Sequence, residues 1–570
     1  MPGVHLMLLP PETTVEELAE AGFSPGLMSA GLGTVPPEQT YLDIGQGNRV
    51  FDSLYDEDLP PRTSHRRDWW RAVVERAESA PADIVPGLLA ATLRKEGASA
   101  GSFEISSANL AEASPHRGEL LIAIARPTGR SDDPVPIGIA GRGFDGSLTS
   151  DSTRMDGYVL STDVAPTILR RFGFEIPPQM SGQPIEAEGA IDPAAIEALG
   201  ARMEVISSRR GPVVGLNVVI WLAALLLVVL LSRGRLARPA VRVAGLAIVY
   251  LPLVLLLGAA LEPGETAERL LVLLLAPLLA AATLLLLRGY RALAVASGLT
   301  VLAYAIDVIA GSPLTSLSLL GPNPGLGVRF YGIGNELEAL LAVLVTAGVG
   351  AGLAGFAPRA PRRTGAFVFA ASGLLAAFVF AAGRFGADVG AAIVFPVGAG
   401  VAVAAIAQRG RKPLLLAVVA APIAVLALLA LVDLLSGANA HLTRSVLDAG
   451  GLGDLADVAQ RRLQLSAHSF VRPVLLAFLP IVALVAALAY LRRDRLGAWV
   501  AGVPTMRAGL VGALAATVVG TLANDSGALL LEIGAAYLLV FTGFAWAESS
   551  ANSAKGAASD EKLQLRASHV

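Results

Sequence analysis

Ionisable side chains within or beside apolar stretches are where chemistry is first sought in this chain, since a charge in hydrocarbon is costly unless paired or wetted. Asp307, Glu336, Glu338, Arg384, Asp388, Asp433, Asn524, Asp525 and Glu532 all fall at such places. Carboxylates there can take up protons or bind cations, and guanidiniums can hold phosphate through a two-pronged fork. On that basis Asp525, Glu532 and Asp388 are the catalytic candidates. Arg329, Asn335, Glu336, Glu338, Arg384, Asp307 and Asn524 are the substrate-binding candidates. Glu532 follows Asp525 by about two helical turns, which puts it about 10 Å further along the same face. The richest motif is Gly321-Pro-Asn-Pro-Gly-Leu-Gly-Val-Arg329-Phe-Tyr331-Gly-Ile-Gly334-Asn335-Glu336-Leu-Glu338. So much Pro and Gly excludes a regular lipid-facing helix and predicts a re-entrant or cavity-lining loop. Asn335 is expected to cap the helix that follows, whose N-terminus, with Arg329 beside it, would suit a phosphate or carboxylate.

The elements that must position these residues are apolar stretches long enough to cross a hydrocarbon core of about 30 Å. About eleven are expected after Gly211, at 214–232, 241–261, 270–287, 291–311, 335–355, 365–383, 387–407, 413–435, 473–491, 506–523 and 526–546. Arginines cluster in alternate loops, at 233–242, 288–291, 359–363, 409–412 and 492–495, which places those loops on the cytoplasmic side. The carboxylate candidates then fall in the outer half of the membrane, and the residues before 211 lie outside the cell. A leader or signal anchor is expected for so large an external domain, and Met1–Pro10 is too short and too poor in basic residues to be one. The loop 436–472, with Arg444, Arg461, Arg462, His441 and His468 among spaced leucines, reads as an interfacial helix.

Composition sets the limits. A hydrophobic content of 54% and a mean hydropathy of +0.60 are too apolar for a water-soluble globule. The net charge of −3 gives no basic field for nucleic acid, and with no cysteine, thiolate metal sites and disulfides are excluded. Before residue 211 the texture is that of a globular α/β domain. Leu120–Ala125 and Val135–Ala140 read as buried strands, and Trp69–Ala77 and Ala194–Met203 as amphipathic helices. The expected organisation is an α/β extracytoplasmic domain at 1–210, an all-α polytopic membrane domain at 211–548 and a cytoplasmic tail at 549–570.

Thr153-Arg-Met-Asp-Gly-Tyr-Val-Leu-Ser-Thr-Asp163-Val-Ala-Pro-Thr-Ile-Leu169, with Phe172-Gly173-Phe and Met180-Ser-Gly182-Gln-Pro after it, resembles the late part of alkaline-phosphatase-superfamily domains. Asp163 suits a helix N-cap there, with Pro166 in the first turn. Gly26–Ala30 and Thr40–Gly47 lie about where that superfamily places its nucleophile region. The resemblance implies a two-metal site, yet the usual Asp-His-Gly is missing. Leu120–Ala125 runs into Arg126-Pro-Thr-Gly-Arg130, and the domain holds only His5, His65 and His116. A degenerate, non-catalytic domain follows, because the two-metal clamp is itself the chemistry. No cofactor or metal ligand set is identified, and a divalent metal is left open. Ser29, Thr34 and Asp43 read as loop and cap residues, and the glycines of Gly31-Leu-Gly33 and Gly45-Gln-Gly47 as turn residues.

The membrane part resembles uncharacterised bacterial polytopic proteins with an R-[FY]-Y-G-I-G-N-E motif, here Arg329–Glu336, and a late N-D-S-G, here Asn524–Gly527. Its layout is also similar to that of enzymes that transfer phosphoethanolamine to lipid-linked glycans. Three functions stay open. One is an envelope enzyme handling a lipid-linked, phosphate-bearing substrate at the outer leaflet. The second is a transporter or flippase with outward-facing carboxylates. The third is a non-catalytic envelope assembly factor. Membrane lipids and a lipid-linked glycan or envelope polymer are the expected partners.

Overall fold

The computed structural model describes residues 3–61, 66–80, 82–98, 103–107, 110, 119–408, 419–429, 463, 466–467, 469–470 and 473–567. Asp433, His65, His116 and most of the 436–472 loop lie outside the described residues. The chain divides into two compact units: residues up to Ser208 together with Pro322–Tyr331, and Arg209–Gly321 together with the chain from Gly332 onward.

The first unit is α/β. Its strands are β1 (Val4–Leu9), β2 (Ser24–Ser29), β3 (Phe103–Ser107), β4 (Leu120–Ala125), β5 (Val135–Ala140), β6 (Ser147–Ser150), β7 (Tyr158–Leu160) and β8 (Ile185–Glu188). Six of them form a mixed sheet in the order β3-β1-β4-β5-β2-β7, and β6 pairs with β8 apart from it. β4 is parallel to β1 and antiparallel to β5, which is antiparallel to β2 in turn. All six residues of β4 are buried, because side chains alternate between two covered faces. Leu120, Ile122 and Ile124 join one cluster with Val4, Leu6, Ile137 and Ile139, whereas Leu121 and Ala123 join another with Met7, Leu9, Leu18 and Phe23. The helices are α1 (Val15–Glu20), α2 (Pro37–Gln46), α3 (Arg66–Glu78), α4 (Leu88–Lys95), α5 (Val164–Phe172) and α6 (Pro193–Arg209). α4 and α5 supply Leu89, Leu93, Ile168 and Leu169 to the first cluster. Both expected strands and both expected helices are present.

The second unit is helical. It contains α7 (Leu216–Leu231), α8 (Ala237–Leu261), α9 (Glu265–Leu286), α10 (Tyr290–Ile309), α11 (Pro313–Leu317), α12 (Asn335–Phe356), α13 (Arg362–Ala381), α14 (Ala391–Ile406), α15 (Val419–Leu429), α16 (Pro473–Leu491), α17 (Arg493–Val500), α18 (Pro504–Ala523) and α19 (Gly527–Ala567). Among the described residues eight helices are long and apolar enough to cross a membrane, or nine if the bent pair α16–α17 makes one span. Together they are compatible with an integral membrane protein. α14 and α15 are shorter apolar helices at two of the remaining expected stretches. α12 lies at the centre and packs against α10, α13, α14, α18 and α19. Its closest neighbours meet it through glycine. A Cβ on Gly509 would lie 2.9 Å from the Thr346 carbonyl oxygen, and one on Gly512 would lie 2.4 Å from that of Gly398, so α12, α14 and α18 touch backbone to backbone.

The Pro- and Gly-rich segment is divided between the two units. The chain leaves the helical unit at Gly321, contributes Pro322–Tyr331 to the first unit and returns at Gly332. Within the first unit the Gly33 amide donates to the Leu326 carbonyl at 2.9 Å, and the Phe330 ring lies 5.5 Å from that of Tyr158.

Candidate functional site

In the helical unit, three segments come together around one carboxyl group. Glu338 lies one turn into α12 and is wholly inaccessible to solvent. Asn524, also buried, ends α18 and donates from Nδ2 to Glu338 Oε2 at 2.7 Å. The third segment is the turn between α13 and α14. A Cβ on Gly390, the N-cap of α14, would lie 2.4 Å from Glu338 Oε2, so the carboxyl group fits against the start of that helix only because position 390 has no side chain. A hydrogen bond to a charged group contributes about 1.5–3 kcal/mol, and a helix N-terminus up to about 2 kcal/mol in a partly buried setting. Together they offset much of what burying a carboxyl group costs.

The surrounding turns are tied to each other. The Ile333 amide donates to the Gly386 carbonyl at 3.0 Å, the Gly332 amide to Ser312 Oγ at 2.9 Å, and the Asp388 amide to the Phe380 carbonyl at 3.2 Å. Asp388 is 5% exposed, while Arg384 in the same turn is exposed. Asn335 donates to Asp525 Oδ1 at 3.1 Å. It does not cap α12: Gly334 is the N-cap, and Asn335 as the first helical residue directs its amide group toward the segment before α19. Glu336 pairs with Arg210 at 3.1 Å, and that arginine also donates to the Gly321 carbonyl at 2.7 Å.

The structure therefore brings Glu338, Asn524, Asn335, Asp525 and the Arg384–Gly390 turn to one end of α12, α14 and α18. The other candidates sit elsewhere. Asp307 accepts from the Leu314 and Thr315 amides at 3.1 and 2.7 Å and so holds the start of α11. Glu532 is half-buried in α19, and its Oε1 finds no hydrogen-bond partner among the described residues. Arg329, half-buried, belongs to the first unit.

Several residues that hold the site had no sequence signal. Ser469 accepts from the Ala528 amide at 2.9 Å, and Ser466 donates to the Thr521 carbonyl at 2.7 Å. Serine and glycine at such places are too common to stand out, although Gly390 follows Asp388 closely enough to mark the turn.

In the first unit, the region where the sequence suggests a phosphatase-like nucleophile is closed by the chain itself. Arg49 donates to Ser29 Oγ at 3.1 Å, to the Gly31 carbonyl at 3.0 Å and to the Gly327 carbonyl at 2.7 Å. Gly327 has φ +71°, and a Cβ there would lie 2.4 Å from the Gly31 oxygen. Asp43 is buried and accepts from Gln39 at 2.8 Å and Gln46 at 3.0 Å. Burial pushes its pKa up to about 7, against the pull of those hydrogen bonds and of Arg49 and Arg76. Asp163 does not cap α5 with its side chain. Its carboxylate instead accepts from Ser150 at 2.7 Å, Ser152 at 2.5 Å, and the Leu160 and Gln183 amides at 2.9 Å each. Burial raises its pKa while these four donors oppose the rise. Among the described residues no group of three or more His, Cys, Asp or Glu could hold a metal.

Compared with known proteins, the chain matches no family model, no curated protein and no solved structure.

Proposed function

We propose that the protein is an integral membrane protein of the bacterial cell envelope that handles a lipid-linked, phosphate-bearing substrate at the outer leaflet. The observation that carries this reading is the fully buried Glu338, held by Asn524 against the start of α14 inside the helical unit. An ionisable group buried inside a membrane-spanning bundle is retained at a cost, and function is the usual reason. The N-termini of α12 and α14 lie at that end with the exposed Arg384, so partial positive charge and a guanidinium stand on the side where a phosphate head group would approach. In this reading Arg384 holds the phosphate, Asn335 orients Asp525, and Asp525 or Asp388 accepts a proton. The glycine contacts among α12, α14 and α18 suit a fixed, preorganised site better than elements that slide past each other. Arginine-rich alternate loops support an outward-facing cluster.

The test is native mass spectrometry of the purified protein with a polyprenyl phosphate and with the matching neutral polyprenol, beside growth of cells that depend on the protein. The phosphate is expected to bind in preference, and Arg384→Ala to weaken it about tenfold, the worth of one charge-assisted contact. Glu338→Gln and Asn524→Ala should abolish growth at unchanged protein level. Equal binding of the neutral alcohol, or full growth with Glu338→Gln, would sink the reading. Glu532 favours a second reading, a proton- or cation-coupled carrier; uptake into proteoliposomes that drops with Glu532→Gln, without any modified product, would select it.

A further inference from the structure

Residues 322–331 meet the rest of the first unit through a specific arrangement of donors. The Leu326 carbonyl accepts from the Gly33 amide at 2.9 Å, and the Gly327 carbonyl accepts from Arg49 Nη2 at 2.7 Å. Two consecutive carbonyl oxygens are thus received by two donors, one from the turn after β2 and one from the turn after α2. The guanidinium is aimed without help from the segment, because Arg49 Nη1 is fixed by Ser29 Oγ at 3.1 Å and by the Gly31 carbonyl at 3.0 Å. Ser29 ends β2, so both donors stand at the carboxyl end of that strand, where α/β sheets commonly take their ligands.

A backbone amide beside a guanidinium is a receptor for an anionic oxygen group, and a carbonyl, with only partial charge, is the weaker acceptor for it. The carbonyls of the segment therefore stand where a charged ligand would bind better. Their seat is also narrow. A Cβ on Gly327 would lie 2.4 Å from the Gly31 oxygen and 3.0 Å from Ser29 Oγ, so the segment fits only while that position has no side chain. Beside the segment is a cavity of about 60 Å³, which Asn323, Gly325 and Leu326 share with Asp132, Asp133 and Glu204. The cavity leaves the segment loosely packed on one side. Its carboxylates mean that no broad positive field draws the ligand, and recognition rests on the two donors.

We propose that residues 322–331 are a displaceable strap, and that the Gly33 amide and Arg49 form a receptor for an anionic oxygen group that competes with the Leu326 and Gly327 carbonyls. The site stands apart from the reading of the helical unit, and either can fail alone. The anionic group could be a phosphate or a carboxylate. The full-length protein in an uncharged detergent is titrated by calorimetry with inorganic phosphate in one arm and with acetate in the other, and hydrogen exchange of residues 322–331 is followed by mass spectrometry in both. The arm with the tighter saturable binding assigns the group, and exchange in the strap should quicken as that ligand binds. Gly327→Val should force the strap off, raising its exchange without ligand and tightening the affinity several-fold. Phe330→Ala removes the ring packed on Tyr158 and neither donor, so it should act in the same direction, and it serves if the valine disturbs the fold. A variant that merely damages the unit would lose affinity and not gain it. Adding Arg49→Ala to Phe330→Ala should weaken binding about tenfold, the worth of one charge-assisted contact. No saturable binding in either arm for the parent and Phe330→Ala alike, binding that leaves exchange of the strap unchanged, or full affinity without Arg49 overturns the proposal.

Discussion

Asp43 is buried among two glutamines and two arginines, and its pKa of about 7 makes it a measurable liability. A carboxyl group whose folded pKa lies above its unfolded value favours the native state most at low pH, where both forms are protonated. That contribution is lost as pH rises from the unfolded value through about 7. Asp43→Asn keeps an oxygen for Gln39 and Gln46 but has no proton to lose. The variant should melt at a higher temperature than the parent at pH 8, and by a much smaller margin at pH 4.5. An equal shift at both values would show that Asp43 is not the titrating group. At this scale the sequence was uneven as a guide. Glu338 and Asn524 were legible because ionisable and amide groups in apolar surroundings are conspicuous. Asp307 looked alike in kind, yet its carboxylate is consumed by the Leu314 and Thr315 amides, which no residue type or spacing announces, and Asp163, expected to cap α5, instead accepts from Ser150, Ser152 and the Leu160 and Gln183 amides.

At the scale of elements, the strands were readable because β4 is apolar on both faces, and the long helices because their length is set by the bilayer. The Pro- and Gly-rich segment was not. Its composition excludes a regular helix, but whether such a segment packs among helices or elsewhere depends on partners distant in sequence, here Gly31, Gly33 and Arg49. The contacts of α12, α14 and α18 give a prediction of their own. Gly512→Leu would place its Cβ within 2.4 Å of the Gly398 oxygen and 2.7 Å of Thr346 Cγ2, and backbone cannot move aside cheaply. The helices should separate, the Glu338–Asn524 hydrogen bond should lengthen, and the detergent-solubilised protein should lose several degrees of melting temperature. Gly497→Leu, with open space around it, should leave stability unchanged and serves as the control.

For the whole molecule, the first unit is discontinuous in sequence, so a fragment ending at Ser208 lacks ten residues of its own structure. In such a fragment Arg49 would lose the Gly327 carbonyl, and a hydrogen bond from a charged group is worth about 1.5–3 kcal/mol. A fragment of 1–208 with 322–331 appended through a flexible linker should therefore melt higher than 1–208 alone. Identical melting of the two would show that the segment adds nothing to the fold. Time matters as well. Residue 331 is made 123 residues after residue 208, so at about 5–20 residues per second the first unit waits about 6–25 s for its last piece. During that interval α7–α10 have been synthesised while the crevice around Ser29 and Arg49 stands open, so completion of this unit is a late event in biogenesis, timed by the making of the helices that precede Pro322.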